Sequence, residues 1–264
     1  MRAVSVHQDV IVVTSRIWKT TATLVRDGGE AFLIDSPILP DELDVLPALA
    51  EQAEFRVTGL LATHADWDHL LGVYAFPEAA LGVGETTAAR LTAEPGAAAR
   101  ELRDFDEEYY IDRPRPFSVP GVQALPVPGY CAVGDRELEL HPADGHTADG
   151  AAVWIPWARV LVAGDYLSSH AIPELSPSAS IDKYLATLRR FGPLLTQADV
   201  VVPGHGEPLD GARAAAILRE DVAYLEGLLG AEPEKAPLPL ARRTGAQRNL
   251  HEYNLSLLRD GKAS

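Results

Sequence analysis

Sulfur and positive charge are what this sequence is short of. One cysteine, Cys131, and one methionine, Met1, occur in 264 residues. A lone cysteine excludes an intramolecular disulfide and suits a reducing compartment. Lysine and arginine together number 23 against 38 acidic residues, which leaves a formal net charge of -15. A surface so negative repels phosphate backbones and gains little from counterion release, so nucleic acid is not an expected partner. Long apolar runs are also missing. Val10–Val13 is too short for a signal-peptide core, and no stretch approaches a membrane-spanning length. A cytoplasmic protein that acts on a small molecule, with no membrane partner, is the expectation; a homo-oligomer is left open. No linker or internal repeat divides the chain, and at 47% hydrophobic it can bury one sizeable core. A single domain over 1–264 is therefore expected, with 231–264 as a C-terminal helical extension packed on it.

What is present is concentrated in Thr63-His64-Ala65-Asp66-Trp67-Asp68-His69. The apolar run Val57–Ala62 before it predicts a buried strand, and Leu70–Tyr74 after it can open a short helix. Two imidazoles and two carboxylates thus fall at one strand-to-helix turn, where a rigid sheet edge can aim them at one point. Packed this tightly they are costly unless something binds them. The set suits zinc, iron or manganese and needs no sulfur ligand.

Short strands are expected at Val10–Val13, Thr23–Arg26 and Ala31–Ile34, with Asp27-Gly28-Gly29 as a hairpin turn. Asp35, at the end of the third strand, either supports the metal loop from behind or simply forms a turn. Helical spacing runs from Asp41 to Ala53, and an Ala-rich helical region from Glu85 to Arg103 is interrupted at Pro95-Gly96. The acidic and aromatic stretch 104–116 is expected to be an ordered loop, either a lid or a solvated connection. Strand-like segments follow from Phe117 to Leu140, then at Ala151–Ile155, Arg159–Ala163 and Asp199–Val202. Helices are expected at Ile181–Phe191 and Ala212–Leu229, and a last one after Thr244, whose spacing to Gln247 is that of a capping box. Strands in both halves, each half closed by a helix, predict two sheets packed face to face with helices outside: an α/β, four-layer αββα sandwich.

His146, Asp165 and His205 each follow an apolar strand and stand beside glycine, which lets the backbone turn sharply and approach a ligand. Singly each is weak. With His64, Asp66, Asp68 and His69 they supply seven nitrogen or oxygen donors from four strand ends, about what two divalent ions need when one carboxylate bridges them.

The pattern His64-x-Asp66-x-Asp68-His69, followed by Gly145-His146-Thr147, Gly164-Asp165 and Pro203-Gly204-His205-Gly206, resembles the metallo-β-lactamase superfamily over roughly residues 10 to 230. The resemblance implies the αββα fold, a dinuclear metal site and hydrolytic chemistry. Position by position it implies that His64 and His146 bind a first metal, that Asp68, His69 and His205 bind a second, and that Asp165 bridges them. One position departs: Asp66 stands where the family usually has the second histidine. Carboxylate oxygen still ligates zinc, but it makes the first site harder, which opens iron or manganese, or a mononuclear enzyme, as alternatives.

Two zinc ions are the first expectation for the cofactor. A metal-bridging hydroxide, oriented by Asp68, would then attack an ester, thioester or lactone carbonyl. The glyoxalase II-like and lactonase-like branches fit the modest length. A phosphodiesterase-type hydrolase of the same fold and a degenerate, non-catalytic metal-binding scaffold are the other readings. For substrate contacts the candidates are Trp67, which either lines the pocket or packs under the metal loop, and Tyr166 and His170, which follow Asp165. Arg242 and Arg243 are expected to be a solvated pair. His7 and His141 are read as structural, and His251 and Asn254 face either the site or a surface groove.

Overall fold

Short runs of β-branched residues between tight turns build the first sheet. The structure is a computed structural model that describes residues 1–119 and 121–263. Strands β1 (Arg2–His7), β2 (Val10–Thr14), β3 (Thr21–Asp27) and β4 (Glu30–Asp35) form an antiparallel meander. Helix α1 (Pro40–Gln52) then crosses to β5 (Val57–Ala62), and α2 (Gly72–Ala75) leads to β6 (Ala80–Gly84). From β4 onward β5, β6 and β7 (Val122–Leu125) add in parallel, as expected where helices form the connections. Sequence order equals spatial order across all seven strands. Edge strand β1 was not anticipated, because its side chains are exposed or half-buried and its apolar alternation is confined to Val4 and Val6.

Helices α3 (Glu85–Ala93) and α4 (Ala97–Tyr109) fill the connection between β6 and β7. They correct the expected loop at 104–116, whose first six residues are the last turns of α4. No helix breaker occurs there before Pro114, and Phe105 is buried on the inner face. Arg113 folds back on Asp106 through a two-pronged ion pair at 2.7 and 2.9 Å and fastens the helix end. The break at Pro95-Gly96 does occur, with Gly96 at φ +75°.

The second sheet, in the order β12-β11-β10-β9-β8, consists of β8 (Gly129–Val133), β9 (Arg136–Pro142), β10 (Ala151–Ile155), β11 (Val160–Val162) and β12 (Val200–Val202). Helices α5 (Ile181–Leu195), α6 (Gly211–Leu228) and α7 (Gly245–Arg259) cover it.

Three apolar layers separate four layers of structure. Val12, Ile34, Val153 and Val162 pack between the sheets. Leu33, Leu46, Leu60 and Phe105 fill the space under α1 and α4. Trp154, Phe191, Tyr224 and Leu255 do the same under α5, α6 and α7. The αββα sandwich is therefore the architecture. Burial on both faces of each sheet is what allows the nearly continuous apolar runs of β5 and β10.

At one end of the sandwich the two sheets are stitched together by backbone hydrogen bonds. Thr21 N–H donates to Gly204 O (2.8 Å) and Ala151 N–H to Thr63 O (2.7 Å), while Gly204 N–H to Gly164 O (2.6 Å) ties together two loops of the second sheet. Every candidate ligand hangs from a loop at this end.

Candidate metal centre

The carboxyl ends of β5, β11 and β12 and the loop between β9 and β10 meet at the stitched end. Trp67–His69 form a single 3-10 turn directly after β5, which turns His64, Asp66, Asp68 and His69 toward one centre. Two glycines make the approach of the other loops possible. A Cβ on Gly204 would lie 2.0 Å from Asp165 Oδ1. Gly145 has φ +132°, and a Cβ there would lie 2.3 Å from the Tyr184 backbone nitrogen.

All seven donors expected from the sequence come together. In each of three groups, His64-Asp66-His146, Asp68-His69-His205 and His64-His69-Asp165, the ligand atoms lie within 4.8 Å of one another. Asp66 Oδ2 is 3.5 Å from Nε2 of both His64 and His146. Asp68 Oδ2 is 3.7 Å from His69 Nε2 and 3.4 Å from His205 Nε2. Asp165 occupies the middle, with its oxygens 3.1–3.9 Å from Nε2 of all four histidines.

Behind three of the four imidazoles an oxygen atom is hydrogen-bonded to Nδ1, and behind His69 one lies close, so that Nε2 faces the centre in all four. His146 Nδ1 donates to Glu174 O at 2.8 Å and His205 Nδ1 to Trp18 O at 3.1 Å. His64 Nδ1 is hydrogen-bonded to Thr63 Oγ1 at 3.0 Å, and Thr63 Oγ1 donates in turn to Asp35 Oδ2 at 3.0 Å. Asp35 Oδ2 also lies 3.1 Å from His69 Nδ1, and Asp35 Oδ1 accepts from Thr63 N–H at 2.8 Å. Asp35 is thus the support behind the metal loop, the first of its two sequence readings. It reaches that position at φ +59°.

The cluster fits a divalent cation on two independent grounds. His64 Nε2, His69 Nε2 and Asp165 Oδ1 are buried and make no hydrogen bond, although His69 Nε2 and Asp165 Oδ1 lie 3.1 Å apart. These polar atoms face one another across the centre with no hydrogen bond of their own, the arrangement expected of a donor set shaped for a cation. The field of the centre is also strongly negative. Burial alone would lower the basicity of His146, yet the hydrogen bond to Asp66 and the charge of Asp165 push it up to about 10. His205 is pushed up to about 9 against the same burial by Asp165 and Asp68. Burial would raise the Asp165 carboxyl, but His205 and His69 hold it well below the usual carboxylate range. A site that retains protons this firmly favours a cation in their place.

Two charged residues that the sequence did not single out complete the turn. Arg90 on α3 donates to Asp149 Oδ1 at 2.9 Å and lies 2.8 Å from Asp66 Oδ1. Asp149 Oδ2 accepts from Ala65 N–H at 2.9 Å, which clamps the residue between His64 and Asp66. No local pattern marks Arg90, which stands among alanines on a half-exposed helix.

A cavity of about 560 Å³ opens over the cluster. Trp67 borders it and also packs on Phe105 (4.7 Å) and Trp18 (5.6 Å), so both of its expected roles hold. His170 also lines the cavity and stands exposed. Tyr166 requires a correction as a substrate contact. It is buried behind His146, where its hydroxyl accepts from His146 N–H at 3.1 Å and donates to Ala143 O at 3.0 Å, so it has no hydrogen to offer the cavity.

The expected solvated pair is half corrected. Arg243 is exposed, but Arg242 is buried and bonds Asp221 (2.6 Å), Glu220 (3.0 Å) and Ala171 O (2.8 Å). His251 and Asn254 are buried behind the cavity wall, away from both the centre and the surface. His7 and His141 stand beside Asp9 and Glu139, remote from the centre.

A model of the family described as metallo-beta-lactamase superfamily matches residues 16–205. The chain belongs to that superfamily of metallo-hydrolases. It is similar to the acyl-coenzyme A thioesterase MBLAC2 of Gallus gallus, at 28% identity over 200 residues, 69% of this chain and 70% of that protein. It is 23% identical over 171 residues to metallo-beta-lactamase type 2 of Bacillus cereus, 62% of this chain but only 57% of that relative. Among solved structures, the DIM-1 metallo-beta-lactamase superposes with TM-score 0.61 at 21% identity, over 85% of this chain and 96% of that one. A metallo-beta-lactamase from Pontibacter korlensis gives TM-score 0.59 at 19% identity, over 83% and 98%. At such identities these superpositions speak for the fold alone. In this superfamily the His and Asp cluster is the place for divalent metal. Among the described residues, no helix is long and apolar enough to cross a membrane.

Proposed function

We propose that this protein is a metal-dependent hydrolase that holds two divalent ions, zinc before iron or manganese, and cleaves an ester, thioester or lactone of a small molecule. The observation that carries the proposal is the pairing of two donor groups around one carboxylate. His64, Asp66 and His146 would hold one ion, Asp68, His69 and His205 the other, and Asp165 both. Divalent ions there supply an acidified water and a Lewis acid for the substrate oxygen.

The chain's own residues do the rest. Asp68, buried to all but 6% at the cavity floor, orients the attacking water and takes up its proton. Trp67 and Trp18 offer an apolar lining for the acyl part, and His170 adds a polar ring to the same cavity. Arg90, by sharing the charge of Asp66, brings the first donor group closer to an all-imidazole set, which supports zinc. The name of the Gallus gallus relative supports a thioester among the three carbonyl classes. The acidic surface weighs against a phosphodiester.

Elemental analysis of protein purified without added metal tests the proposal, with Asp66→Asn alongside. About two ions per chain in the native protein and one in the variant are expected, followed by turnover of at least one compound in a panel of thioesters, lactones and esters. Turnover of phosphodiesters alone would favour the phosphodiesterase-type reading. One ion, unaffected by Asp66→Asn, would remove Asp66 and the two-ion arrangement. No metal at all would leave a degenerate, non-catalytic scaffold.

A further inference from the structure

The family match ends at His205, yet the hydrogen-bonded network behind one candidate ligand reaches a residue near the end of the chain. Asn254, on α7, is 0% exposed. Its Nδ2 donates to Pro173 O at 2.8 Å and to the Tyr224 hydroxyl at 3.0 Å. Its Oδ1 accepts from Leu175 N–H at 3.1 Å. One amide therefore grips the backbone on both sides of Glu174, and Glu174 O is the acceptor for His146 Nδ1 at 2.8 Å.

The two partners also decide the amide's orientation and the imidazole's tautomer. Pro173 O and Glu174 O can only accept, and Leu175 N–H can only donate. Nδ2 must therefore face Pro173, and His146 must carry its proton on Nδ1. Nε2 is then the ring atom that faces the centre, 3.4 Å from Asp165 Oδ2 and 3.5 Å from Asp66 Oδ2, and it would offer its lone pair to a cation that replaces its proton. Two more bonds hold the same segment between α7 and the His146 loop. Ile172 N–H donates to Gln247 Oε1 at 2.7 Å, and Ser176 N–H to His146 O at 3.1 Å.

We infer that Asn254 is a positioning residue for His146: through its two bonds astride Glu174 it directs the Glu174 carbonyl at Nδ1 and so sets the ring orientation for metal. Asparagine suits the task because donor and acceptor sit on one planar group of the right span. Leucine matches its volume and offers neither, and aspartate offers no donor when ionised. The inference rests on the proposal that His146 holds metal.

The experiment uses the full chain, with zinc content of the native protein measured first. The two zinc dissociation constants are then determined by chelator competition for native protein, Asn254→Leu and Tyr224→Phe. In parallel, the His146 Nδ1–H signal, assigned by its loss in His146→Gln, is followed by NMR. Asn254→Leu is expected to weaken one zinc site at least about tenfold, leave the other within twofold, and shift and broaden the His146 signal. Tyr224→Phe removes a bond from the same buried group but keeps both bonds astride Glu174. It is expected to lower the melting temperature and leave both affinities within twofold.

Unchanged affinities and an unshifted signal in Asn254→Leu would overturn the inference, whatever its melting temperature. Equal weakening by Tyr224→Phe would reduce Asn254 to packing. Should Asn254→Leu fail to fold, hydrogen exchange on the native protein still decides, because the Leu175 amide and His146 Nδ1–H must be protected together. A freely exchanging Leu175 amide would sink the idea. Native protein that holds no divalent metal of any kind would instead refute the metal site itself, and the inference with it.

Discussion

At the scale of single residues, the centre depends on second partners as much as on ligands. Asp66 is the instructive case, because a carboxylate has two oxygens to satisfy where a histidine would have one free nitrogen. Oδ2 turns to His64 and His146, and Oδ1 is left to Arg90 at 2.8 Å. Arg90 also neutralises Asp149, whose side chain is almost fully buried and clamps Ala65. Replacing Arg90 by methionine is expected to cost about 1.5–3 kcal/mol of stability, since buried charge-assisted hydrogen bonds lose their donor. It should also weaken the ion held by His64, Asp66 and His146 by about 10–100-fold through loss of ligand orientation. Urea denaturation and chelator competition measure the two effects separately. A variant as stable as native protein, with unaltered zinc affinity, would leave Arg90 a surface residue.

At the scale of elements, the C-terminal helices do more than cover the second sheet. Thr244 caps α7 as its spacing predicts, accepting from Gln247 N–H at 3.2 Å. The Gln247 side chain, however, does not return to the cap; it accepts from Ile172 N–H in the cavity wall. Arg242, just before α7, ties that wall to α6. Its guanidinium bonds Ala171 O and Asp221, and burial pushes the Asp221 carboxyl up to about 7 against the pull of Arg242. Breaking a buried pair from one side leaves an uncompensated charge, so Arg242→Met is expected to destabilise by about 3 kcal/mol or more. The check is a urea titration of metal-loaded protein. A loss below about 1 kcal/mol would mean that the pair is solvated after all. Helix α4 teaches a related lesson from the first half, because Phe105 on its last turns backs Trp67 and so shapes the cavity lining there.

At the scale of the whole molecule, the four layers exist to bring loops from two sheets to one end, and the negative centre they make has a pH signature. The surrounding carboxylates push His146 up to about 10 and His205 up to about 9 in the folded, metal-free chain, against an ordinary value of 6.5. A histidine whose folded value is raised lends stability that is fully present below its unfolded value and is lost as pH climbs through the folded one. Metal-stripped protein should therefore lose denaturation midpoint steadily from about pH 7 to about pH 10. Metal-loaded protein should stay flat over the same range, because cations then offset Asp66, Asp68 and Asp165. Urea midpoints of chelator-treated and zinc-loaded samples at three pH values test this. A metal-free midpoint that holds or rises across the range would contradict the charge balance described here. Zinc at about 100 times its dissociation constant should in addition raise stability by about 2.7 kcal/mol by mass action.

The seven donors that converge were legible in the sequence because each follows closely on an apolar strand; four lie within one six-residue span after β5, and His146, Asp165 and His205 each stand beside glycine. The αββα layering was legible for the same reason, since strand and helix periods are short-range properties. Edge strand β1 and the last turns of α4 were missed where that local signal is weak or misleading. In β1 the alternation is confined to Val4 and Val6, and the acids and aromatics of 104–109 resemble a loop until Arg113 is seen to close on Asp106. What the chain order could not reveal is which distant group stands behind each ligand. Arg90 finds Asp149 across 59 positions, Asn254 finds Pro173 across 81, and Arg242 finds Asp221 across 21. Partnerships of that kind are set by how the layers pack. The sequence by itself therefore determined the chemistry of the centre, and only the tertiary structure decided how its rings and carboxylates are aimed.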